Sequence, residues 1–257
     1  QGVGDQIMFA SIIPDLAAIA ETLVCVCEPR LMGLLAPAVP GVSFVHPDGA
    51  SVEADVLLAM GSLGHAFRSS EADFPGTPYL KAQPADHGKW AAKLGPRSTR
   101  LRIGISWRGG TAATRQVARS VDLATFVALL GLPDCELVSL QYGDVAEEIE
   151  AVNRARDNPT RCFPAEEIAA FTDLAGLIDN LDAVVSVQTS VVHLSGAMGK
   201  PCFVLLPTAP EWRYQLHGET MPWYGSVRLL RQQTAGDWRD VLAGAGAAVR
   251  ALEHPLA

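Results

Sequence analysis

The chain has 257 residues, 49% hydrophobic and 19% charged, the balance of an ordinary globular protein, which excludes a disordered class. At roughly 150 residues per domain, that length suits two domains of ordinary size. A formal net charge of −8 excludes a broad footprint on nucleic acid, where a basic surface must displace counterions from phosphates.

In chain order, the glycine-rich turn Gln1–Asp5 comes first with no strand before it, so a strand and an upstream region are expected ahead of Gln1. The hydrophobic periodicity then predicts helix Gln6–Ala20, strand Thr22–Cys27, helix Pro29–Ala36, strand Val42–Val45 and a short apolar strand, Ala54–Met60. Such β/α alternation implies parallel connections. A polar, proline-containing stretch, Ser69–Pro84, leads into the amphipathic segment His87–Leu94. Gly95-Pro96-Arg97-Ser98-Thr99 reads as a hinge, since Gly-Pro interrupts helix and sheet alike.

The alternation restarts with strand Leu101–Trp107, helix Leu123–Leu130, strand Glu136–Gln141 and helices Val145–Arg156 and Phe171–Asn180. Strand Ala183–Val187, helix Val191–Met198, strands Cys202–Leu206 and Val227–Leu230, and a closing helix, Asp237–Leu252, follow. Each interior glycine in Ala243–Val249 lowers that last helix's propensity by about 1 kcal/mol relative to alanine. The runs Val184-Val185-Ser186-Val187 and Phe203-Val204-Leu205-Leu206 are apolar on both alternating faces, the pattern of strands covered by helices on both sides. In such open sheets ligands bind beyond the carboxyl ends of the strands.

Cys25, Cys27, Cys135, Cys162 and Cys202 are odd in number and form no C-x-x-C pair, so neither a disulfide framework nor a metal site is expected and a reducing cytoplasm fits. Cys25 and Cys27 alternate on one strand face, as small buried side chains do. No apolar run reaches the roughly 18 residues of a membrane span, and no signal-peptide pattern is present.

Three constellations bear on chemistry. In Ser186-Val187-Gln188-Thr189-Ser190-Val191-Val192-His193, hydroxyl residues stand at a strand-to-helix junction. There Thr189 or Ser190 either merely caps a structural helix or helps present free N–H groups and a positive helix end to a phosphate. His193, one turn further on, reads from spacing as a packed or capped histidine. The second is Trp107-Arg108-Gly109-Gly110-Thr111 with Thr114, Arg115, Arg119 and Ser120, a glycine-rich loop whose cations suit a diphosphate because arginine donates in a bidentate fork. It is not a Walker loop. With Arg97, Arg100 and Arg102 these arginines form a cluster that is either a solvated basic face or a small-anion site. The third is Gly2-Val3-Gly4-Asp5, where Asp5 is either a helix cap or a general base. Ile7 breaks a dinucleotide-binding G-x-G-x-x-G pattern.

Several ordered motifs together resemble the glycosyltransferase region of bacterial tetratricopeptide-repeat proteins, which is similar to the ADP-heptose:lipopolysaccharide heptosyltransferases of glycosyltransferase family 9. They are Gly2–Ser11, Gly104–Gly110, Ser139-Leu140-Gln141-Tyr142-Gly143, Gln188–Pro201, Trp223-Tyr224 and Arg231-Gln232. The resemblance implies a GT-B-like α/β fold, two Rossmann-like lobes with parallel sheets facing across a cleft. Residues 1–95 would form the acceptor lobe and 96–257 the nucleotide-sugar lobe. It implies an inverting, metal-independent transfer from a nucleotide-diphospho-sugar to a glycan or protein acceptor, with no further cofactor. Asp5 takes the place of the general base, Arg119 that of a basic residue near the donor phosphates, and Gln188, Thr189, Ser190 and His193 that of the phosphate loop. Tyr142, Gly143 and Asp144 follow a strand end at the nucleoside side, and Trp107 and Arg108 complete the expected donor site. The family implies upstream tetratricopeptide repeats and a place beside the inner membrane.

Gln188 stands where the family usually has aspartate; glutamine still donates and accepts hydrogen bonds but carries no charge. That departure motivates an alternative, a nucleotide-sugar-binding or scaffold module without turnover. A two-lobed nucleotide-sugar epimerase is a third class, disfavoured because no glutamate-rich acid/base site stands at the motif positions.

Overall fold

Pro14 divides the opening helical stretch. In the computed structural model, which describes residues 2–48, 53–110 and 116–252, α1 (Val3–Ala10) is followed by α2 (Ile13–Ala17). Proline lacks the amide hydrogen of a helix interior and is tolerated in a first turn, so one helix over Gln6–Ala20 becomes two, and the start moves back to Val3. β1 (Val24–Val26), α3 (Pro29–Leu35) and β2 (Ser43–Val45) then form a βαβ unit with parallel strands. Cys25 and Cys27 are both buried in it, and burial pushes the Cys25 thiol up to about 11.

The expected strand Ala54–Met60 does not form. Val56, Leu57 and Leu58 are exposed in irregular chain, and a 3-10 turn at Met60–Leu63 leads into α4 (Gly64–Phe67). Apolar side chains alone make no strand; the backbone must also find pairing partners.

After α5 (Pro84–Leu94) the alternation is regular: β3 (Arg102–Ser106), α6 (Leu123–Leu130), β4 (Glu136–Ser139), α7 (Ala146–Asn153), α8 (Phe171–Asp179), β5 (Ala183–Val187), α9 (Ser190–Ala197) and β6 (Cys202–Leu206). A hairpin of β7 (Thr220–Met221) and β8 (Tyr224–Arg231) and the closing α10 (Arg239–Arg250) complete it. The strands form one six-stranded sheet in the order β4-β3-β5-β6-β8-β7, parallel except for β7. β3, β5 and β6 are buried at every position, as their two-sided apolar runs require. One α10 glycine carries the contact with α6: a β-carbon on Gly246 would lie 2.0 Å from the Leu130 carbonyl oxygen.

Among the described residues the architecture is therefore one large mixed sheet beside a two-stranded one, not two comparable parallel sheets. The main apolar core also runs across residue 95, joining Ile7 and Met8 of α1 and Trp90 of α5 to Leu177 of α8 and Val192 of α9. α5 is pinned to α8 by Lys89–Asp173 and His87–Asp179 pairs, and Gly176 lets the helices touch, since a β-carbon there would meet the Asp86 carbonyl oxygen at 2.7 Å.

The expected hinge at Gly95-Pro96 is clamped. Buried Arg102 donates to the carbonyls of Leu94, Gly95 and Pro96 while its Nε binds Glu136 at 2.9 Å. β4 and β5 lie on opposite sides of β3, so the strand order reverses between β3 and β5 and opens a crevice at their carboxyl ends.

Candidate functional site

That crevice is part of a cavity of about 860 Å³. Its floor is the β5–α9 junction. Thr189 has extended dihedrals, caps α9 by accepting from the Val191 N–H at 3.2 Å, and is braced by Ser186 Oγ at 3.2 Å. The helix thereby begins at the cavity wall, with Ser190 lining it and its positive end facing inward. Just before the cap, the Gln188 side chain is 99% buried. Neither its Oε1 nor its Nε2 has a hydrogen-bond partner among the described residues.

The loop after β3 and the first turn of α1 close on this junction because Gly109 and Gly4 lack side chains. A β-carbon on Gly109 would lie 2.5 Å from the Gln188 carbonyl oxygen, and one on Gly4 would lie 2.7 Å from His193 Cδ2. The β3 loop is held by Gln141, whose buried Oε1 accepts from Ser106 Oγ, Trp107 N and Arg108 N at 3.1, 2.9 and 2.8 Å, while its Nε2 donates to the Arg108 carbonyl at 3.1 Å. Opposite, α1 presents Asp5, whose Oδ2 accepts from the Gly2 N–H at 3.2 Å and whose Oδ1 is paired with Arg213.

His193 is neutral. Tyr79 donates its proton to the Ile7 carbonyl at 2.6 Å. The Tyr224 hydroxyl lies 3.1 Å from His193 Nδ1, and the other edge of the ring stands beside Gly4. Burial, with the Arg213 charge as a second cause, pushes the His193 pKa down to about 3. It offers the cavity a neutral ring, not a cation.

Three cations among the described residues line the cavity, each held by a carboxylate: Arg30 by Glu28 at 2.9 Å, Arg119, whose guanidinium binds Glu211 at 2.8 Å and the Gln188 carbonyl at 2.7 Å, and Arg213 by Asp5. Leu140, Ile168, Phe171 and Leu174 add apolar lining, with the Arg30 guanidinium 5.8 Å from the Phe171 ring centroid, and Tyr142 and Gly143 line the cavity as well.

No family model matches the sequence. Protein FlbA of Caulobacter vibrioides is 26% identical over 272 residues, a match that takes in 97% of this chain and 45% of that protein. The chain thus spans less than half the length of the curated relative it matches. Among solved structures it is similar to E. coli ADP-heptose lps heptosyltransferase II, with a TM-score of 0.59, 15% identity and 97% of both chains covered. E. coli heptosyltransferase WaaC with ADP-2-deoxy-2-fluoro heptose superposes with a TM-score of 0.54 at 11% identity, covering 97% of this chain and 96% of that one. A family 9 glycosyl transferase from Veillonella parvula gives 0.52 at 11% identity, covering 97% and 78%. The chain has a heptosyltransferase-like α/β fold.

On this heptosyltransferase-like fold the structure gathers Asp5, Arg119, Tyr142, Gly143, Gln188, Thr189, Ser190 and His193 around one cavity. Two expected donor residues lie elsewhere. Trp107 is fully buried in the core with its Nε1 on Glu148 at 3.0 Å, because the side chain at that strand end points into the β3–α6–α7 packing. Arg108 turns outward to Glu148 as well. The arginine cluster also disperses: Arg97 pairs with Asp182, Arg100 with the carbonyls of Pro133, Asp134 and Cys135, and Arg102 with Glu136. Thr111, Thr114 and Arg115 lie outside the described residues.

Sequence reasoning missed Arg213, Glu211 and Gln141. Gln141 had a signal, a polar residue two positions beyond the end of β4 after a run of strand residues. Arg213 and Glu211 come from irregular chain with no period to read. Among the described residues no helix is long and apolar enough to cross a membrane, and no group of His, Cys, Asp and Glu is arranged to hold a metal ion.

Proposed function

We propose that this chain is a glycosyltransferase that takes a sugar from a nucleoside-diphosphate donor and passes it to a hydroxyl of a glycan or protein acceptor. The observation that carries this reading is the Gln188 carboxamide, 99% buried and unpartnered in the cavity wall at the start of α9. Each unpaired buried polar group costs about 1–3 kcal/mol, a cost a ligand offsets when the carboxamide turns toward the cavity and finds its missing partner there. A carboxamide offers two N–H donors and an acceptor oxygen, and being neutral it tolerates phosphate nearby. The α9 end and Arg119 supply positive potential for the diphosphate. The apolar lining of Leu140, Ile168 and Leu174, with Tyr142 and Gly143, suits a nucleobase, and the neutral His193 ring suits a hydroxyl of the donor sugar.

In the reaction, an acceptor oxygen attacks the anomeric carbon as its proton passes to Asp5. The bond from that carbon to the diphosphate oxygen breaks, and its electron pair leaves with the diphosphate. Negative charge grows on the leaving group where the helix end and Arg119 stabilise it, so no metal is invoked. Attack opposite the leaving group inverts the anomeric centre. In this reading residues 1–95 serve the acceptor and 96–257 the donor, with an acceptor carried elsewhere in a longer polypeptide, such as on tetratricopeptide repeats, as the natural target.

Calorimetric titration of the chain with ADP-, UDP- and GDP-sugars tests the proposal: saturable binding of at least one is expected, and a folded chain that binds none sinks it. The second reading, a donor-binding module without turnover, draws on the Arg213 pair at Asp5 and on the uncharged Gln188. Donor binding with no transfer or hydrolysis, unchanged in Asp5→Asn, would select it.

A further inference from the structure

Asp5 cannot act as a base toward an incoming hydroxyl while a guanidinium holds its Oδ1. Its other oxygen is engaged by the Gly2 N–H. The same Arg213 lines the cavity that contains the α9 start, and its Nε is buried with no partner among the described residues, so the side chain has a donor to spare. Its own segment is not built to move. Gln215, two residues on, has φ 58° and ψ 179°, the one non-glycine residue at positive φ among those described. A side-chain-bearing residue stays in that region only where its surroundings over-determine it. Here Arg231 does so, donating to the carbonyls of Tyr214, Gln215, His217 and Gly218. The backbone of 214–218 is clamped, and what remains adjustable is the long side chain of Arg213.

We propose that Arg213 is a shared cation for which Asp5 and the donor diphosphate compete, so that donor binding draws Arg213 onto the phosphates and releases Asp5 Oδ1 to accept the acceptor's proton. The inference rests on the donor-binding reading above. A diphosphate carries more charge than one carboxylate and accepts the guanidinium fork on two oxygens, so the exchange favours the phosphates. Asp5 keeps the Gly2 N–H on Oδ2 throughout, which fixes its orientation while Oδ1 is handed to the substrate. The consequence is order: the base is masked until a donor is in place, and an acceptor that arrives first meets an ion pair. Arg213 thereby becomes both a diphosphate ligand and the residue that positions the base.

Calorimetric titration of the full chain with ADP, UDP, GDP and inorganic pyrophosphate, in wild type, Asp5→Asn, Arg213→Ala, Arg213→Lys and the Asp5→Asn/Arg213→Ala double variant, tests this. Removing the competitor in Asp5→Asn is expected to tighten diphosphate binding by about threefold to tenfold, and Arg213→Ala to weaken it by about tenfold or more. Simple removal of a nearby negative charge would also tighten binding, so the double variant decides. If Arg213 is the shared cation, Asp5→Asn gains nothing once Arg213 is gone; an undiminished gain in the Arg213→Ala background overturns the proposal. Wild-type binding with Asp5→Asn unchanged also overturns it and leaves the donor site standing, whereas no binding of any diphosphate by wild type overturns both. Thermal melts check folding, and if Arg213→Ala is unfolded the same cycle is run on Arg213→Lys, which keeps the charge but loses the fork.

Discussion

Gly4 of α1 and His193 of α9 approach so closely that a β-carbon on Gly4 would lie 2.7 Å from the imidazole Cδ2. No real β-carbon packs at that distance, and the ring is held in place by the Tyr224 hydroxyl 3.1 Å from its Nδ1. This contact brings the Asp5 turn against the Thr189 junction, so the site depends on a missing side chain.

Gly4→Ala is therefore expected to destabilise the fold by about 1–3 kcal/mol, the usual cost of overpacking a filled interior. It should also move Asp5 away from the α9 end. Urea unfolding measures the first effect, and the loss of diphosphate affinity the second. A variant as stable as wild type with unchanged affinity would show that α1 and α9 are not held in contact by this pair.

His193 gives a pH signature. Its pKa in the folded chain is depressed to about 3 from an ordinary 6.5, so between those values the unfolded chain binds a proton that the folded chain does not. The stabilisation is complete above about pH 6.5 and is lost as pH falls, with a slope of about 1.4 kcal/mol per pH unit until the folded pKa is reached. Denaturant unfolding at pH 7 and pH 5 should show that slope in wild type and a shallower one in His193→Gln. Equal slopes would mean the imidazole is not held neutral.

Gln141 is the keystone of the β3 loop, with one carboxamide oxygen serving three donors. Gln141→Leu keeps the volume and leaves Trp107 N and Arg108 N without an acceptor, a cost of about 1–3 kcal/mol for each group that stays buried and unpaired. Gln141→Glu keeps an acceptor for those donors and should lose less. The ordering of the two variants in a urea titration is the check, and a Gln141→Leu variant as stable as wild type would contradict the role.

The parts of this fold that sequence made legible are those where one physical constraint writes a continuous pattern. β5 and β6 are buried at every position, so every residue but Ser186 is apolar, and Thr189 before an apolar helix marks the α9 start. Ala54–Met60 misled because apolarity reports a preference for burial, and Leu57 is 89% exposed where no strand pairs with it. Trp107 and Arg108 misled because a motif says which residues cluster in sequence, while the side-chain direction at a strand end is set by packing. Arg213 was invisible for the opposite reason: its partner, Asp5, lies at the other end of the chain, and nothing local in Trp212-Arg213-Tyr214 announces a contact across 208 positions.

Gln188 separates stability from function most sharply. A residue retained for the fold should lower stability when replaced, whereas a residue retained for a ligand stabilises nothing until the ligand arrives. The Gln188 side chain is buried with both polar atoms unpartnered among the described residues, so its present contribution to the fold is a desolvation cost. Gln188→Leu has nearly the same shape, keeps the main-chain carbonyl that Arg119 binds at 2.7 Å, and removes that cost. It is expected to raise the unfolding free energy by about 1 kcal/mol while weakening nucleoside-diphosphate-sugar binding by about tenfold, the loss of one or two buried hydrogen bonds. Gln188→Asp introduces a carboxylate in the wall where the proposed donor site places phosphates, and its charge should also weaken binding. Thermal melts and sugar-nucleotide titrations of the two variants read these effects separately. A Gln188→Leu chain that is less stable than wild type and binds donor equally well would assign the amide to the fold and remove the observation on which the proposed function rests.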